Sequence, residues 1–248
     1  MFPRASEGSV GIVPYLMAGF PDRARSVEAA RSLTATGIAA LELGIPFSDP
    51  LADGPVIQAA GHAALEGGMT VGGCMEVAAA ITGRAPVVFM SYVNPILAYG
   101  PDRFAADAAA AGVAGVILTD LPPEEAGGIA EVLVAHGLAT VFLVAPTSSE
   151  ERIAIICAAS SGFVYCVTRT GITGFRAELP AGVGALLDRV RAHTELPIAA
   201  GFGISRPEDI RALRGRADLA AVGTAVVNEI AAGRDPARLV EELVSACP

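Results

Sequence analysis

The feature that most constrains this chain is a regular alternation of short β-branched apolar runs with longer, Ala-rich, charge-dotted segments, the rhythm of strands joined by helical crossovers in a parallel sheet. Strands are predicted at Ile12 to Met17, Ala39 to Leu43, Val87 to Ser91, Gly115 to Thr119, Thr140 to Leu143, Phe163 to Val167, Pro197 to Ala200 and Leu219 to Gly223. Helical patterns fall at Ala24 to Thr36, Val71 to Gly83, Asp102 to Ala111, Pro123 to His136, Ser149 to Ala159, Gly182 to His193, Arg206 to Arg214 and Pro236 to Ala246. Ser205-Arg206-Pro207-Glu208 offers an N-cap hydroxyl, an early proline and a glutamate placed for a capping box. Gly37, Gly112 and Gly137 suit left-handed helix ends. No linker or composition break divides the 248 residues, a length close to the ~250 typical of a one-domain α/β barrel. The expectation is one domain over residues 1–248, a single (β/α)8 TIM barrel; an open doubly wound sheet is the alternative.

Composition narrows the function. Hydrophobic residues make up 52% of the chain, yet Gly, Pro or a charge interrupts every apolar stretch well before the ~20 residues a bilayer span needs. No membrane association is expected, and the start, Met1-Phe2-Pro3-Arg4, resembles neither a secretory nor a transit segment. A cytoplasmic protein is expected. The net charge is −9 and the 17 Lys and Arg are scattered, so the basic stripe of a nucleic-acid binder is missing. Cys74, Cys157, Cys166 and Cys247 form no C-x-x-C pair, and His62, His136 and His193 lie far apart; reduced thiols and no metal site are expected.

Barrel enzymes keep their chemistry at the C-terminal ends of the strands. Period-two alternation along Ala39-Ala40-Leu41-Glu42-Leu43-Gly44 turns Leu41 and Leu43 outward and Ala40, Glu42 and Gly44 into the barrel. A carboxylate aimed into a core must find a partner or hold its proton near neutral pH, which suits a general acid/base; a structural ion pair with an arginine such as Arg169 is the other reading. The loop Ile45 to Pro55 is long and dense in proline and acid, as site-covering loops are. Within it Asp49 and Asp53, by spacing alone, each read more as turn-formers than as catalysts. Glycines gather after the last three predicted strands, in Thr170-Gly171-Ile172-Thr173-Gly174, Gly201-Phe202-Gly203-Ile204-Ser205 and Gly223-Thr224-Ala225. A short helix over Ala225 to Ile230 would point its N-terminus at the same place, the arrangement by which barrels hold phosphate.

The run Leu41-Glu42-Leu43-Gly44-Ile45-Pro46-Phe47-Ser48-Asp49-Pro50-Leu51-Ala52-Asp53-Gly54 resembles the signature of the tryptophan synthase α chain family. The resemblance continues through Asn94-Pro95, Asp120-Leu121-Pro122, Arg169 to Gly174 and Gly201 to Ser205, nearly the whole chain. It implies a carbon-carbon lyase of the aldolase type in tryptophan biosynthesis, cleaving indole-3-glycerol phosphate to indole and glyceraldehyde 3-phosphate. By the same resemblance Glu42 shuttles the proton and Asp53 accepts the indole N–H; Gly174, Phe202, Gly203, Gly223 and Thr224 hold phosphate; Tyr15, Met90 and Tyr165 line the pocket. Residues Thr170 to Pro180 form a lid in which Thr173 contacts Asp53 and Arg169 is the anchor. It implies no cofactor in this chain and a pyridoxal-phosphate β chain as partner in an α2β2 complex, met through Asn94-Pro95 and Asp120-Leu121-Pro122; a stand-alone lyase releasing free indole is the alternative. The sequence departs from the family pattern in four places. The first strand begins about ten residues in, which predicts a thinly plugged barrel floor; the lid is slightly short; Thr224 stands for a more usual serine, and Tyr15 for a common phenylalanine.

Overall fold

A computed structural model describes residue 2 and residues 9–167, 182–201 and 203–246. Its strands are β1 Gly11–Met17, β2 Leu41–Gly44, β3 Val87–Ser91, β4 Val113–Leu118, β5 Ala139–Val141, β6 Leu143–Val144, β7 Val164–Val167, β8 Ile198–Gly201 and β9 Leu219–Val222. All pairings among them are parallel, in the order β5-β4-β3-β2-β1-β9-β8-β7-β6. The two ends of that order, β5 and β6, are successive pieces of one run interrupted at Phe142, whose carbonyl accepts the Tyr165 N–H at 3.1 Å. The ends therefore meet and the sheet closes on itself. This is the (β/α)8 TIM barrel, and closure rules out the open sheet.

The helices are α1 Arg23–Thr34, α2 Pro55–Glu66, α3 Val71–Ala79, α4 Val93–Tyr99, α5 Pro101–Ala110, α6 Gly127–Ala135, α7 Glu150–Ala159, α8 Val183–Arg191, α9 Pro207–Leu213, α10 Thr224–Ala231 and α11 Ala237–Ser245. Helix α10 is the short extra helix expected after the last strand, whereas α2 and α4 fall where no helix is predicted. Their starts explain why. Helix α2 begins at a glycine N-cap without side-chain cap and carries Val56, Ile57 and Gly61, all weak helix formers. Helix α4 has only seven residues and a proline at its third. The cap of α9 also differs: the N-cap is Arg206, not Ser205, and Asp209, not Glu208, closes the box, accepting the N–H groups of Ser205 (3.0 Å) and Arg206 (2.9 Å).

Alternation divides the apolar residues into two layers. Ile12, Leu16, Leu41, Leu43 and Phe89 face outward to the helices. Val13, Ala40, Val88, Ile117, Val141, Phe163, Ala199 and Leu219 fill the barrel. The predicted thin floor is corrected at one point: Phe2 is buried and packs edge-on against Phe163, with ring centroids 5.1 Å apart. Burying one such side chain contributes roughly 1.5–3 kcal/mol. Beside Phe2 a depression of ≈ 590 Å³ opens between Ala114, Val134, Leu138, Leu196 and Pro197. Among the described residues no helix is long and apolar enough to cross a membrane.

Candidate active site

Strand β2 delivers Glu42 to the barrel interior because Leu41 and Leu43, its neighbours in the pleat, are drawn into the outer layer. Glu42 is 1% exposed, and among the described residues its Oε1 has no hydrogen-bond partner. Burial pushes its carboxyl up to about 8, with a hydrogen bond from the Tyr165 hydroxyl acting weakly in the other direction. A group so placed holds a proton at neutral pH and can give it up without first breaking an ion pair.

Asp53 arrives from the loop. The segment after β2 turns twice, Asp49 carbonyl to Leu51 N–H (3.0 Å) and Pro50 carbonyl to Asp53 N–H (3.1 Å), before entering α2. Of its two acids, Asp49 is exposed and takes the neighbouring Ser48 hydroxyl at 2.5 Å, as a turn-former would. Asp53 instead faces the barrel mouth, where burial pushes it up to about 6 against an opposing hydrogen bond from the Tyr92 hydroxyl. Tyr92 ties the arrangement together: its oxygen accepts the Ala52 N–H at 2.9 Å, and its ring packs on Phe47 at 5.3 Å between centroids. Sequence reasoning passed over Tyr92, although its place immediately after β3 was a sufficient signal.

Tyr15 and Tyr165 complete the cluster. Tyr15 pairs with Glu42 in the β1–β2 register, and burial, with the carboxyls of Asp53 and Glu42 adding to it, holds both phenols well above the usual tyrosine range. Two glycines make room for these rings. A Cβ on Gly44 would collide with the Tyr15 hydroxyl, and one on Gly201 would lie 2.7 Å from the Tyr165 hydroxyl. Met90, half-buried, pairs with Gly44 across β2–β3.

At the other side of the mouth Gly223 is the N-cap of α10 and Thr224 its first residue. A Cβ on Gly223 would lie 3.8 Å from that of Tyr15, so the helix start adjoins the carboxylate cluster. First-turn N–H groups have no intrahelical acceptor, and with the dipole they favour an anion there. Gly203 holds a left-handed φ of +73° in the neighbouring loop. Arg169, Thr173, Gly174, Phe202 and the lid segment 170–180 lie outside the described residues, and with them the alternative of a Glu42–Arg169 pair. Among the described residues no group of three or more His, Cys, Asp or Glu is placed to hold a metal ion.

Comparison with known proteins decides the family. The model of the tryptophan synthase alpha chain matches residues 3–247. The chain belongs to the tryptophan synthase alpha chain family. It is 45% identical over 241 residues to the alpha chain of Solibacter usitatus, covering 96% of this chain and 90% of that one. With the alpha chain of a Roseiflexus species identity is 48% over 226 residues, 90% and 87% of the two chains. Among solved structures, tryptophan synthase of Mycobacterium tuberculosis superposes with a TM-score of 0.91 at 37% identity, over 96% of this chain and 93% of that chain. A mutant alpha-subunit from Pyrococcus furiosus gives 0.88 at 35%, over 97% and 100%. The activity that goes with this family is a carbon-carbon lyase reaction, the retro-aldol cleavage of indole-3-glycerol phosphate in tryptophan biosynthesis. The loops that resemble the family's partner-facing ones are joined to each other: Asn94 and Pro95 lie on α4, and Asp120, after β4, accepts the Val93 N–H at the start of that helix at 2.8 Å.

Proposed function

We propose that Glu42 and Asp53 divide the work of the cleavage. An indole leaves the glycerol chain only if its C3 gains a proton as the adjacent chain hydroxyl loses one. The carbon-carbon bonding pair then returns to the ring carbon system while the aldehyde forms. Glu42, protonated at neutral pH, gives the first proton and takes the second. Asp53, ionised above about 6, accepts the indole N–H and stabilises the cationic ring that C3 protonation creates. Tyr15, Met90 and Tyr165 line the indole and glycerol pocket. The backbone of Gly174, Phe202, Gly203, Gly223 and Thr224 and the Thr224 hydroxyl hold the phosphate, while Thr173 and Arg169 serve the lid.

The observation that carries this reading is Glu42 itself: a fully buried acid with an oxygen unpartnered among the described residues, on the same mouth as an open helix N-terminus. Indole release from indole-3-glycerol phosphate tests it. Glu42→Gln should lower turnover about 10²–10⁴-fold, the usual contribution of a general acid/base, and Asp53→Asn by about 10²-fold or more; parental turnover in Glu42→Gln overturns the assignment. The partner in this reading is a pyridoxal-phosphate β chain that takes up the indole in an α2β2 complex. A sharp rise in turnover on adding β chain supports it, and full activity of the chain alone favours the stand-alone lyase.

A further inference from the structure

Among the described residues the Tyr15 hydroxyl has no strong partner. It is buried, and its hydrogen bond runs to the Met17 thioether at 3.8 Å. A thioether is a weak acceptor, and leaving a buried hydroxyl so poorly paired is destabilising. A phenylalanine would fill the same space without that cost. The ring is nevertheless held in place, with Gly44 reduced to a bare Cα beneath the hydroxyl and Gly223 beside the Cβ. An unmet donor kept at a reaction centre at the expense of stability points to a state in which the donor is met.

Among the described residues the titratable groups that act on this hydroxyl are Asp53 from the loop, Glu42 from β2, Tyr92 after β3 and Cys74 on α3; Tyr165 on β7 feels Tyr15 in turn. The thiol and the phenols are neutral near pH 7, because burial raises all of them. The two carboxyls are not equivalent acceptors. Glu42 keeps its proton to about 8 and already has Tyr165, so it offers a poor site for another donor. Asp53 is ionised from about 6 and exerts the larger charge effect on Tyr15. It also sits on the loop between β2 and α2 rather than on a strand.

We propose that Tyr15 is a positioning residue for Asp53: when substrate fills the pocket, the Tyr15 hydroxyl leaves the Met17 sulfur and donates to the Asp53 carboxylate. With Tyr92 it then supplies two donors that fix Asp53, ionised and oriented, against the indole N–H. This rests on the role assigned to Asp53 above and adds a residue that acts only in the loaded enzyme.

Tyr15→Phe removes the hydroxyl and little else. The expected result is a fall in kcat of about tenfold, the size of one hydrogen bond to a charged acceptor, with a melting temperature equal to or above that of the parent. The acid limb of kcat, which reports the loaded enzyme, should move to higher pH by about one unit, while that of kcat/KM, which reports the free enzyme, stays in place. An unmoved kcat limb overturns the proposal, and so does an equal movement of both limbs, since the bond would then exist without substrate. Asp53→Asn and Glu42→Gln run in parallel separate the two levels: if either keeps parental turnover, the site reading fails. If both lose it and Tyr15→Phe behaves as parent, only the role of Tyr15 falls.

Discussion

Of the buried acids, two lie at opposite ends of this barrel and are treated in opposite ways. At the floor Asp218, just ahead of β9, makes an ion pair with Arg191 and accepts the Ile198 N–H at 2.9 Å, while Arg191 also donates to the Leu196 carbonyl at 3.0 Å. Near the mouth Glu42 is buried more deeply, yet among the described residues one oxygen has no partner, and burial pushes the carboxyl up to about 8. A satisfied buried carboxylate stays charged and stiffens its surroundings; an unsatisfied one is driven toward its neutral form and becomes a proton donor. In the reading proposed for Glu42, the same side-chain chemistry serves as a fastener at one end and as a reagent at the other, and the difference lies in what each sequence neighbourhood supplies as partner.

Swapping the two acids for neutral residues should separate these roles. Beside its large loss of turnover, Glu42→Gln should melt no lower than the parent, because it removes a carboxyl whose burial is unfavourable when ionised. Asp218→Ala should do the reverse. It leaves Arg191 and the Ile198 N–H unpaired and should cost about 3 kcal/mol in denaturant unfolding, near the low end for a broken buried pair because Arg191 is partly exposed. At saturating substrate kcat should stay within about twofold of the parent, because no step in the chemistry runs through the floor. A large kcat loss in Asp218→Ala would break the contrast.

The pH dependence of stability sharpens it. The Glu42 pKa rises from 4.5 to about 8 on folding, so the folded state binds this proton more tightly. Its contribution is complete below pH 4.5 and is lost as pH rises toward about 8, with a slope approaching 1.4 kcal/mol per pH unit between the two values. Asp53 acts in the same direction between 3.8 and about 6. Chemical denaturation across this range should show wild-type stability falling with pH and a shallower fall in Glu42→Gln; parallel curves would mean that Glu42 is not protonated in the folded chain. Turnover should follow a bell, with Asp53 ionised on the acid side near 6 and Glu42 deprotonated on the alkaline side near 8. The smallest effect belongs to Tyr92→Phe. Losing the hydroxyl that joins the Ala52 N–H to Asp53 should cost about fivefold in kcat/KM, near 1 kcal/mol, and move the acid limb upward.

Much of this was legible in the order of residues. The eight predicted strands lie on the observed staves within a few residues because period-two and helical patterns record which face of each element is buried. Glycines at Gly37, Gly112 and Gly137 marked helix ends correctly. The parity that turned Glu42 inward is local, and so is its place at a strand end. Both survived into the fold unchanged.

Other features depended on residues far apart in sequence. The thinly plugged floor is corrected at one point, where Phe2 reaches Phe163, a contact no local pattern announces. Helices α2 and α4 form against weak local propensity, α4 with its first N–H held by Asp120 from the next loop. Asp49 and Asp53 were indistinguishable as turn residues until the fold put one in solvent and the other under Tyr92. The sequence by itself determined the barrel and the inward aim of its acid, because strand and helix periodicities are properties of neighbours. Only the tertiary structure decided which carboxyls are left without partners, and hence which can carry a proton, because burial and pairing are sums over groups that the chain brings together from its whole length.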